Sequence, residues 1–370
     1  MKLLQEVKTK NKKVFLRVDF NVPLKQGVIT DNNRIKSVIP TIKYLVGEKA
    51  KLIIGTHCGR PEGKSSPETS IAPIAKELQR LLNLKVTMAP GVTGEGVKKV
   101  VDALQPGGIL VLENLRWDKR EEENDTLFAQ ELAELADIYV NDAFAVSHRA
   151  NASVEAITNY LPSYAGLLLQ SEIDNLSKVK KPQHPFVLII GGAKVEDKAS
   201  MLNKLAPLAD KVLIGGEVAN TFLKAQGMDI SESLFSESMI GLCQKMLKKY
   251  KNKIILPSDY VADDINSGFK IVDIGEKTIK AFVDEIKRAK TVFWNGNLGY
   301  SEASNSREGT RAIAKAMNES KGITIVAGGN TVGVVKESGF DKNISFISTG
   351  GGAALEFLAG EKLPGIEALK

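Results

Sequence analysis

The sequence predicts an α/β protein made of two doubly wound, Rossmann-like parallel-sheet domains joined by a helical hinge. The chain has 370 residues, which is enough for two domains of ordinary size. In both halves, short apolar runs alternate with helical stretches, a pattern typical of parallel strands covered by helices on both faces. Between the halves lies a stretch whose leucines recur at helical spacing.

The predicted boundaries follow these patterns. Residues 1–161 form the first domain, 162–181 the hinge helix, 182–358 the second domain and 359–370 a C-terminal tail. Pro162 suits the first turn of the hinge helix, and Leu168, Leu169, Ile173 and Leu176 give it an apolar face. We therefore expect the hinge to be a rigid connector and not a flexible linker.

In the first domain, strands are expected at 14–18, 52–55, 109–112 and 138–140, with helices at 35–46, 71–82, 96–104 and 126–135. Polar side chains follow each strand, and the successive groups are Asp19, Asn21 and Arg34; His57 and Arg60; Asn114 and Arg116; and Asn141, Asp142, His148 and Arg149. Parallel strands bring these ends to one sheet edge. Four guanidinium groups there match phosphate and carboxylate oxygens, so a small polyanion is the expected ligand. The alternative for the two histidines is a hydrogen-bonded structural imidazole.

In the second domain, strands are expected at 187–190, 212–214, 254–256, 292–294, 323–326 and 345–347, and glycines follow most of them. They occur in Gly191–Gly192, Gly215–Gly216, Asn295–Gly296, Gly328–Thr331 and Ser348–Gly352. Glycine lets backbone N–H groups approach phosphate oxygens closely, above all at a helix N-terminus. Lys194 and Lys198 are four residues apart and would share one helix face. Several such loops at one edge favour a nucleotide, although neither a P-loop nor a dinucleotide fingerprint is present.

Composition narrows the functional classes. The chain is 43% apolar and 25% charged, without a membrane-spanning run or a secretory leader, so a cytoplasmic protein is expected. Cys58 and Cys243 are distant in sequence and, with three histidines, make no convincing zinc cluster, so we expect free thiols. The net charge of +6 suits acidic small molecules, and no nucleic-acid or membrane partner is expected.

A series of short motifs runs along essentially the whole chain. They are RVDFNVP (17–23), NNRI (32–35), GRP (59–61), ENLR (113–116), NDAF (141–144), SHRANAS (147–153), GGAKVEDK (191–198), ANTFL (219–223), WNG (294–296), GGNT (328–331) and STGGGAALEF (348–357). Each is weak alone, but together they are specific. In these motifs and in their order the chain resembles the phosphoglycerate kinase family. The resemblance implies reversible phosphoryl transfer from 1,3-bisphosphoglycerate to MgADP, giving 3-phosphoglycerate and MgATP.

The resemblance also implies residue roles. It places the acidic substrate on the first domain, on Asp19, Asn21, Arg34, His57, Arg60, Arg116, His148 and Arg149. It places the nucleotide on the second domain, on Gly192, Lys194, Lys198, Gly215, Asn295, Gly296, Glu302, Asn330 and Thr331. Arg34, Lys198, Gly351 and Gly352, with Gly350, would act on the transferring phosphoryl group.

Further expectations come with the family. They are a ligand cleft between the domains that closes before reaction, a C-terminal tail returning to the first domain, a monomer, and Mg²⁺ carried with the nucleotide. No general base is needed, because the attacking carboxylate is already ionised at neutral pH.

The sequence departs from the family mainly in the nucleotide set. Asn330 stands where the family has an aspartate, and no metal-binding residue is therefore assigned. Glu217 lies in a turn that is usually rich in glycine, and Ser301 and Asn297–Leu298 alter the nucleotide loop. Around His57 and in the SHRANAS segment, Thr56, Cys58 and Asn151 also differ from the family. Two alternatives stay open: a degenerate paralogue that binds ligand with little turnover, and a macromolecule-binding protein that uses the basic surface.

Overall fold

The computed structural model describes residues 1–300 and 307–370, which divide into two compact units. Unit 1 contains Met1–Ile173 and Lys362–Lys370, and unit 2 contains Asp174–Glu361. Each unit is built around one six-stranded parallel sheet. Among the described residues, no helix combines the length and apolar character needed to cross a membrane.

The sheet of unit 1 has the strand order β5-β6-β4-β1-β7-β8. Its strands are β1 (Lys13–Arg17), β4 (Lys51–Gly55), β5 (Val86–Met88), β6 (Ile109–Val111), β7 (Ile138–Asn141) and β8 (Ser163–Ala165), and a small hairpin pairs β2 (Leu24–Lys25) with β3 (Val28–Ile29). The helices are α1 (Asn33–Gly47), α2 (Ala72–Leu82), α3 (Glu95–Asp102), α4 (Thr126–Ala133) and the short C-terminal α13 (Pro364–Glu367). Strand β1 pairs with β4 and β7 and is buried along nearly its whole length, so the chain that follows it emerges at the middle of the sheet edge.

The sheet of unit 2 has the order β11-β10-β9-β14-β15-β16. Its strands are β9 (Phe186–Ile190), β10 (Lys211–Ile214), β11 (Ile254–Ile255), β14 (Thr291–Asn295), β15 (Ile323–Ala327) and β16 (Phe346–Ile347), and a separate antiparallel hairpin joins β12 (Tyr260–Ile265) to β13 (Gly268–Ile274). The helices are α6 (Glu196–Leu205), α7 (Gly216–Ala225), α8 (Ile240–Lys249), α9 (Glu276–Arg288), α10 (Glu308–Glu319), α11 (Gly329–Glu337) and α12 (Gly352–Ala359). All five residues of β9 are buried, and each such apolar side chain contributes about 1.5–3 kcal/mol.

Helix α5 (Leu167–Lys180) contains the boundary between the units, and here the sequence prediction was wrong in one respect. The helix begins at Leu167, not in the turn at Pro162, because Ser163–Ala165 forms strand β8 and pairs with Tyr139–Asn141 of β7. The side chain of Asp142 marks the true start, since its Oδ1 accepts hydrogen bonds from the Leu168 and Leu169 amides at 2.8 and 3.0 Å.

The C-terminal residues pack on unit 1. The Gly365 amide donates to the Ser147 carbonyl at 2.9 Å, and Asn141 Nδ2 donates to the Gly365 carbonyl at 3.1 Å. A Cβ on Gly365 would lie 2.6 Å from Val154 Cγ1, so only glycine permits this approach.

Candidate functional site

The first candidate site lies at the carboxyl edge of the unit 1 sheet, around Asp19. This side chain is only 6% exposed and forms an ion pair with Arg34 from α1. Its Oδ1 accepts a hydrogen bond from the Asn21 amide at 3.0 Å and lies 3.9 Å from His57 Nδ1. The side-chain oxygen of Asn21 accepts from the Gly59 amide at 3.0 Å. These contacts bring together the loops after β1 and β4, as the strand topology predicted.

Arg116 is held at the same edge by a short 3-10 turn, Leu115–Trp117. Asn114 caps this turn, because its Oδ1 accepts from the Arg116 amide at 3.1 Å. The Asn114 side-chain amide also donates to the carbonyls of Cys58 and Thr69, at 2.7 and 2.8 Å. Arg116 is 3% exposed, and its Nη1 donates to the Gly59 carbonyl at 3.1 Å. The guanidinium is therefore fixed against the loop after β4.

The electrostatics of His57 show that the arginines converge. Burial lowers the pKa of His57 well below its usual value, and the positive charges of Arg17, Arg116, Arg34 and Arg149 lower it further. Burial and the neighbouring Arg149 also lower the pKa of His148. Both imidazoles are therefore neutral at pH 7. A sheet edge at which several guanidinium groups surround two neutral imidazoles favours a multivalent anion.

Two predicted arginines are less constrained. Arg149 is exposed, and its Nε lies 3.3 Å from His148 Nε2. Arg60 is also exposed, and within the described part of the chain no hydrogen bond or ion pair joins it to the other residues of this edge. Arg60 thus lies in the loop after β4 as predicted, with its side chain free to contact a ligand.

The second candidate site is a cavity of about 610 Å³ in unit 2, at the carboxyl edge of that sheet. Of the predicted nucleotide and phosphoryl residues, its lining includes Gly192, Lys194, Lys198, Asn295, Gly296, Asn330, Thr331 and Gly351. Gly215 and Gly352 do not line it, and Glu302 lies outside the described residues. Gly216 takes the place expected for Gly215, which instead precedes α7 and abuts the side chain of Leu298.

Glycine is required where the loops of this edge meet. A Cβ on Gly296 would lie 2.1 Å from the Gly191 carbonyl oxygen, and one on Gly216 would lie 2.5 Å from the Asn297 carbonyl oxygen. Both residues also have positive φ, 97° and 60°. Backbone groups can therefore form the cavity wall without side chains in the way.

The cationic side of the cavity is formed by Lys194 and Lys198. Lys194 is exposed, whereas Lys198, in the first turn of α6, is only 8% exposed. Burial lowers the pKa of Lys198 from its usual value. Its Nζ lies 3.4 Å from the Lys194 carbonyl oxygen. The start of a helix with a buried ammonium beside glycine loops is a site for phosphate oxygens.

Part of the cavity lining is apolar and aromatic. Its lining residues include Leu223, Pro257, Tyr260, Ile271, Leu298 and Tyr300. Three of these, Pro257, Tyr260 and Ile271, come from the loop before β12 and from the hairpin of β12 and β13. The sequence did not predict them, because Tyr260–Ile265 is largely exposed and carries no apolar run. These side chains suit a flat, apolar group such as a base, whereas the lysines and glycine loops of the same cavity suit phosphates.

Three carboxylates also line the cavity, on Asp197, Glu217 and Asp273. The oxygens of Asp273 accept from the Gly309 and Ile274 amides at 2.9 and 2.8 Å, and burial raises the pKa of this carboxyl to about 6. Asn330 is exposed in the first turn of α11. Within residues 1–300 and 307–370, no three His, Cys, Asp or Glu side chains are grouped as a metal site would require.

Unit 1 has a sheet edge rich in guanidinium groups that suits an anion, and unit 2 has a cavity lined by glycine loops and lysines. Such sites define an enzyme that transfers phosphoryl groups between small molecules. The family model for phosphoglycerate kinase matches residues 4–361. The chain therefore belongs to the phosphoglycerate kinase family.

Full-length relatives agree with this assignment. The chain is 44% identical to the phosphoglycerate kinase of Clostridium botulinum (strain Langeland), covering 100% of this chain and 98% of the relative. The phosphoglycerate kinase of Moorella thermoacetica is also 44% identical, over 99% of this chain and 98% of its own. Among solved structures, the Pyrococcus horikoshii OT3 enzyme superposes with a TM-score of 0.91 at 33% identity, covering 100% of this chain and 98% of that one. The Coxiella burnetii enzyme gives 0.86 at 38% identity, covering 99% and 98%.

Proposed function

We propose that this chain transfers a phosphoryl group reversibly from 1,3-bisphosphoglycerate to MgADP, with the acidic substrate on unit 1 and the nucleotide in the cavity of unit 2. Family membership over residues 4–361 supports the reaction. The observation that supports the division of ligands is that three of the predicted ligand arginines, Arg34, Arg116 and Arg149, act electrostatically on the buried His57. Such a cluster suits an acid that carries both phosphate and carboxylate groups.

On unit 1, the proposed ligands of 3-phosphoglycerate are Asp19, Asn21, Arg34, His57, Arg60, Arg116, His148 and Arg149. The arginines would bind the phosphate and carboxylate oxygens bidentately. Asp19 would orient Arg34 through their ion pair and accept a hydrogen bond from the substrate hydroxyl. Neutral His57 adds a donor or acceptor without requiring a second buried charge in the cluster.

On unit 2, we propose that Lys194 and Lys198 bind the nucleotide phosphates and that Lys198 follows the phosphoryl group during transfer. Its burial strengthens its interaction with developing negative charge, because less water screens the ammonium. Backbone N–H groups at Gly351 and the start of α12 would add further donors. The apolar side chains of the lining, which include Tyr260 and Tyr300, would hold the base, for which adenine is the expectation from the family.

The reaction requires little of the protein except that it position the two reactants and stabilise the charge on the phosphoryl group. The carboxylate of 3-phosphoglycerate attacks as the ionised group, so no side chain has to remove a proton. Mg²⁺ bound to the nucleotide would neutralise charge on the phosphate oxygens. The lining fits a metal held mainly by phosphates, because Asn330 offers only a neutral amide oxygen and, among the described residues, the carboxylates of the cavity are not grouped as a metal site requires. A monomer acting in the cytoplasm is part of this proposal, and light scattering tests the oligomeric state.

A coupled assay with 3-phosphoglycerate and MgATP tests the reaction directly. Turnover at a rate within the usual range of kinases, about 1–100 s⁻¹, is expected. Titration calorimetry with each ligand on the isolated protein then tests the two sites separately. A protein that binds ligand but gives no product in the coupled assay would refute the proposed activity.

A further inference from the structure

Beneath the arginine cluster of unit 1 lies a buried polar group that the proposed function does not use. Arg17, the last residue of β1, is 1% exposed. Its Nε donates to Ser153 Oγ at 2.7 Å, and its Nη2 lies 3.6 Å from Glu121 Oε1. Glu121 and Ser153 are both fully buried. A guanidinium in the interior needs such partners, because an unpaired buried charge is strongly destabilising.

Within this buried polar group, Glu121 contacts several partners. Its Oε1 accepts from Ser153 Oγ at 2.6 Å, and its Oε2 accepts from the Ser153 amide at 2.9 Å. Its main-chain carbonyl accepts from the Ala152 amide at 2.9 Å and from Asn151 Nδ2 at 3.2 Å. One residue therefore fixes the segment 151–153 through both its side chain and its backbone.

The three segments joined here carry Asp19, Arg116, His148 and Arg149 of the proposed substrate site. Strand β1 leads from Arg17 into Asp19, and the turns that contain Arg116 lead into Glu121. The segment 147–153 carries His148 and Arg149 before it reaches Ser153. The segments that follow β1, β6 and β7 are thus linked below the surface through the Glu121 carboxylate.

We propose that Glu121 is a positioning residue for the acidic substrate: through Arg17 and Ser153 it holds the backbone that carries Arg116, His148 and Arg149. This inference rests on the proposed substrate site of unit 1. A buried ion pair stabilises a fold little, compared with apolar residues of similar volume, so stability alone gives weak reason for this arrangement. The arrangement fixes three loops at once, and this geometric effect is a stronger reason for it.

The direction in which 3-phosphoglycerate binding changes when Glu121 is replaced distinguishes a positioning role from a purely electrostatic effect. Glu121→Gln removes a negative charge beneath an anion site, so electrostatics alone would tighten 3-phosphoglycerate binding. Positioning predicts the opposite, a dissociation constant about tenfold higher, which corresponds to about 1.4 kcal/mol. A role in folding alone would lower the unfolding temperature and leave the dissociation constant unchanged.

Ser153→Ala provides a second, milder variant. It removes the hydroxyl that joins Arg17 to Glu121 and keeps the backbone amide that donates to Glu121 Oε2. We expect weaker binding of 3-phosphoglycerate here also, and a double variant whose loss is smaller than the sum of the single losses, because both act through the same contacts. The KM for nucleotide should stay unchanged in all three.

The experiment is titration calorimetry of 3-phosphoglycerate into the full chain, with steady-state kinetics in parallel. Asp137→Asn is the matched control, because Asp137 Oδ2 accepts from the Lys13 amide at 2.9 Å at the other end of β1, and its dissociation constant should equal that of the wild type. Arg116→Gln tests the underlying site. Normal binding in Arg116→Gln would overturn the proposed substrate site itself. Weakened binding there, with unchanged or tighter binding in Glu121→Gln and Ser153→Ala, would overturn only the positioning role.

Discussion

Replacing Lys198 with alanine is the most direct test of how the cavity of unit 2 acts in catalysis. Lys198 lies in the first turn of α6, is 8% exposed and lines the cavity beside Gly192. A contact made mainly in the transition state lowers turnover when it is lost and has little effect on ground-state binding. We therefore expect kcat to fall strongly in Lys198→Ala, with the KM for 3-phosphoglycerate nearly unchanged.

The magnitude follows from burial and charge. Removing one preorganised donor to developing charge costs about 2.7–4 kcal/mol, or about 10²–10³ in kcat. Lys198 should lie in this range, because its ammonium is largely shielded from water and brings a full charge. Burial also lowers its pKa, so the charged side chain is costly to the folded state, and the variant should be no less stable than the wild type.

Two further variants make the result interpretable. Lys204→Ala removes the same charge from the exposed face of the same helix, and its kcat should equal that of the wild type. Lys194→Ala removes the exposed lysine of the cavity and should raise the KM for nucleotide more than it lowers kcat. Steady-state kinetics with both substrates varied measure all three. An unchanged kcat in Lys198→Ala would remove this lysine from the mechanism.

Two other predictions concern a metal and a proton. Asn330→Asp adds a carboxylate to the cavity, so activity should reach half-maximum at a lower Mg²⁺ concentration than in the wild type; superimposable titration curves would contradict the role given to Asn330. Burial raises the pKa of Asp142 from 3.8 to about 6, so the folded state binds more protons between these values and loses stability as pH rises from 4 to 6. Asp142→Asn should remove this loss, which is at most about 3 kcal/mol. This loss of stability is measured by urea unfolding at pH 4 and pH 7 in a Trp294→Phe background, in which Trp117 reports on unit 1. Equal pH dependence with and without Asp142→Asn would refute the assignment of the raised pKa to Asp142.

Much of the fold follows from local sequence, because the central strands are buried along all or nearly all of their length. Strand β9 is an unbroken apolar run, and its position was predicted to within one residue. The strands that were missed have weaker signals. Residues Val86–Met88 are only three in number and partly exposed, and Ser163–Ala165 gains its strand structure from pairing with β7 and from a bridge between Leu3 and Ala165. Pairing partners so distant in sequence leave no local pattern.

In the candidate sites, too, some residues could be predicted from local sequence and others could not. The arginines after successive strands could be predicted, since parallel topology alone brings those positions to one edge. Arg17 could not, because it stands inside a strand, and its partner Ser153 is 136 residues away. The choice of Gly216 over Gly215 as a lining residue also depends on tertiary contacts, here with Leu298 and Asn297.

The two sheets share one architecture and differ in the chemical groups that lie at their carboxyl edges. In each, the central strand pairs with neighbours on both sides, and the chain leaves it at the middle of the edge. Unit 1 places guanidinium side chains there, which suit the separate phosphate and carboxylate of a small acid. Unit 2 places backbone there, and a Cβ on Gly296 would meet the Gly191 carbonyl at 2.1 Å. Backbone donors bind phosphate oxygens without adding net charge, so positive charge comes to this cavity from two lysines, the exposed Lys194 and the buried Lys198. A buried ammonium such as Lys198 suits a phosphoryl group that gains negative charge during transfer, whereas the several arginines of unit 1 suit the distributed charge of a small acid.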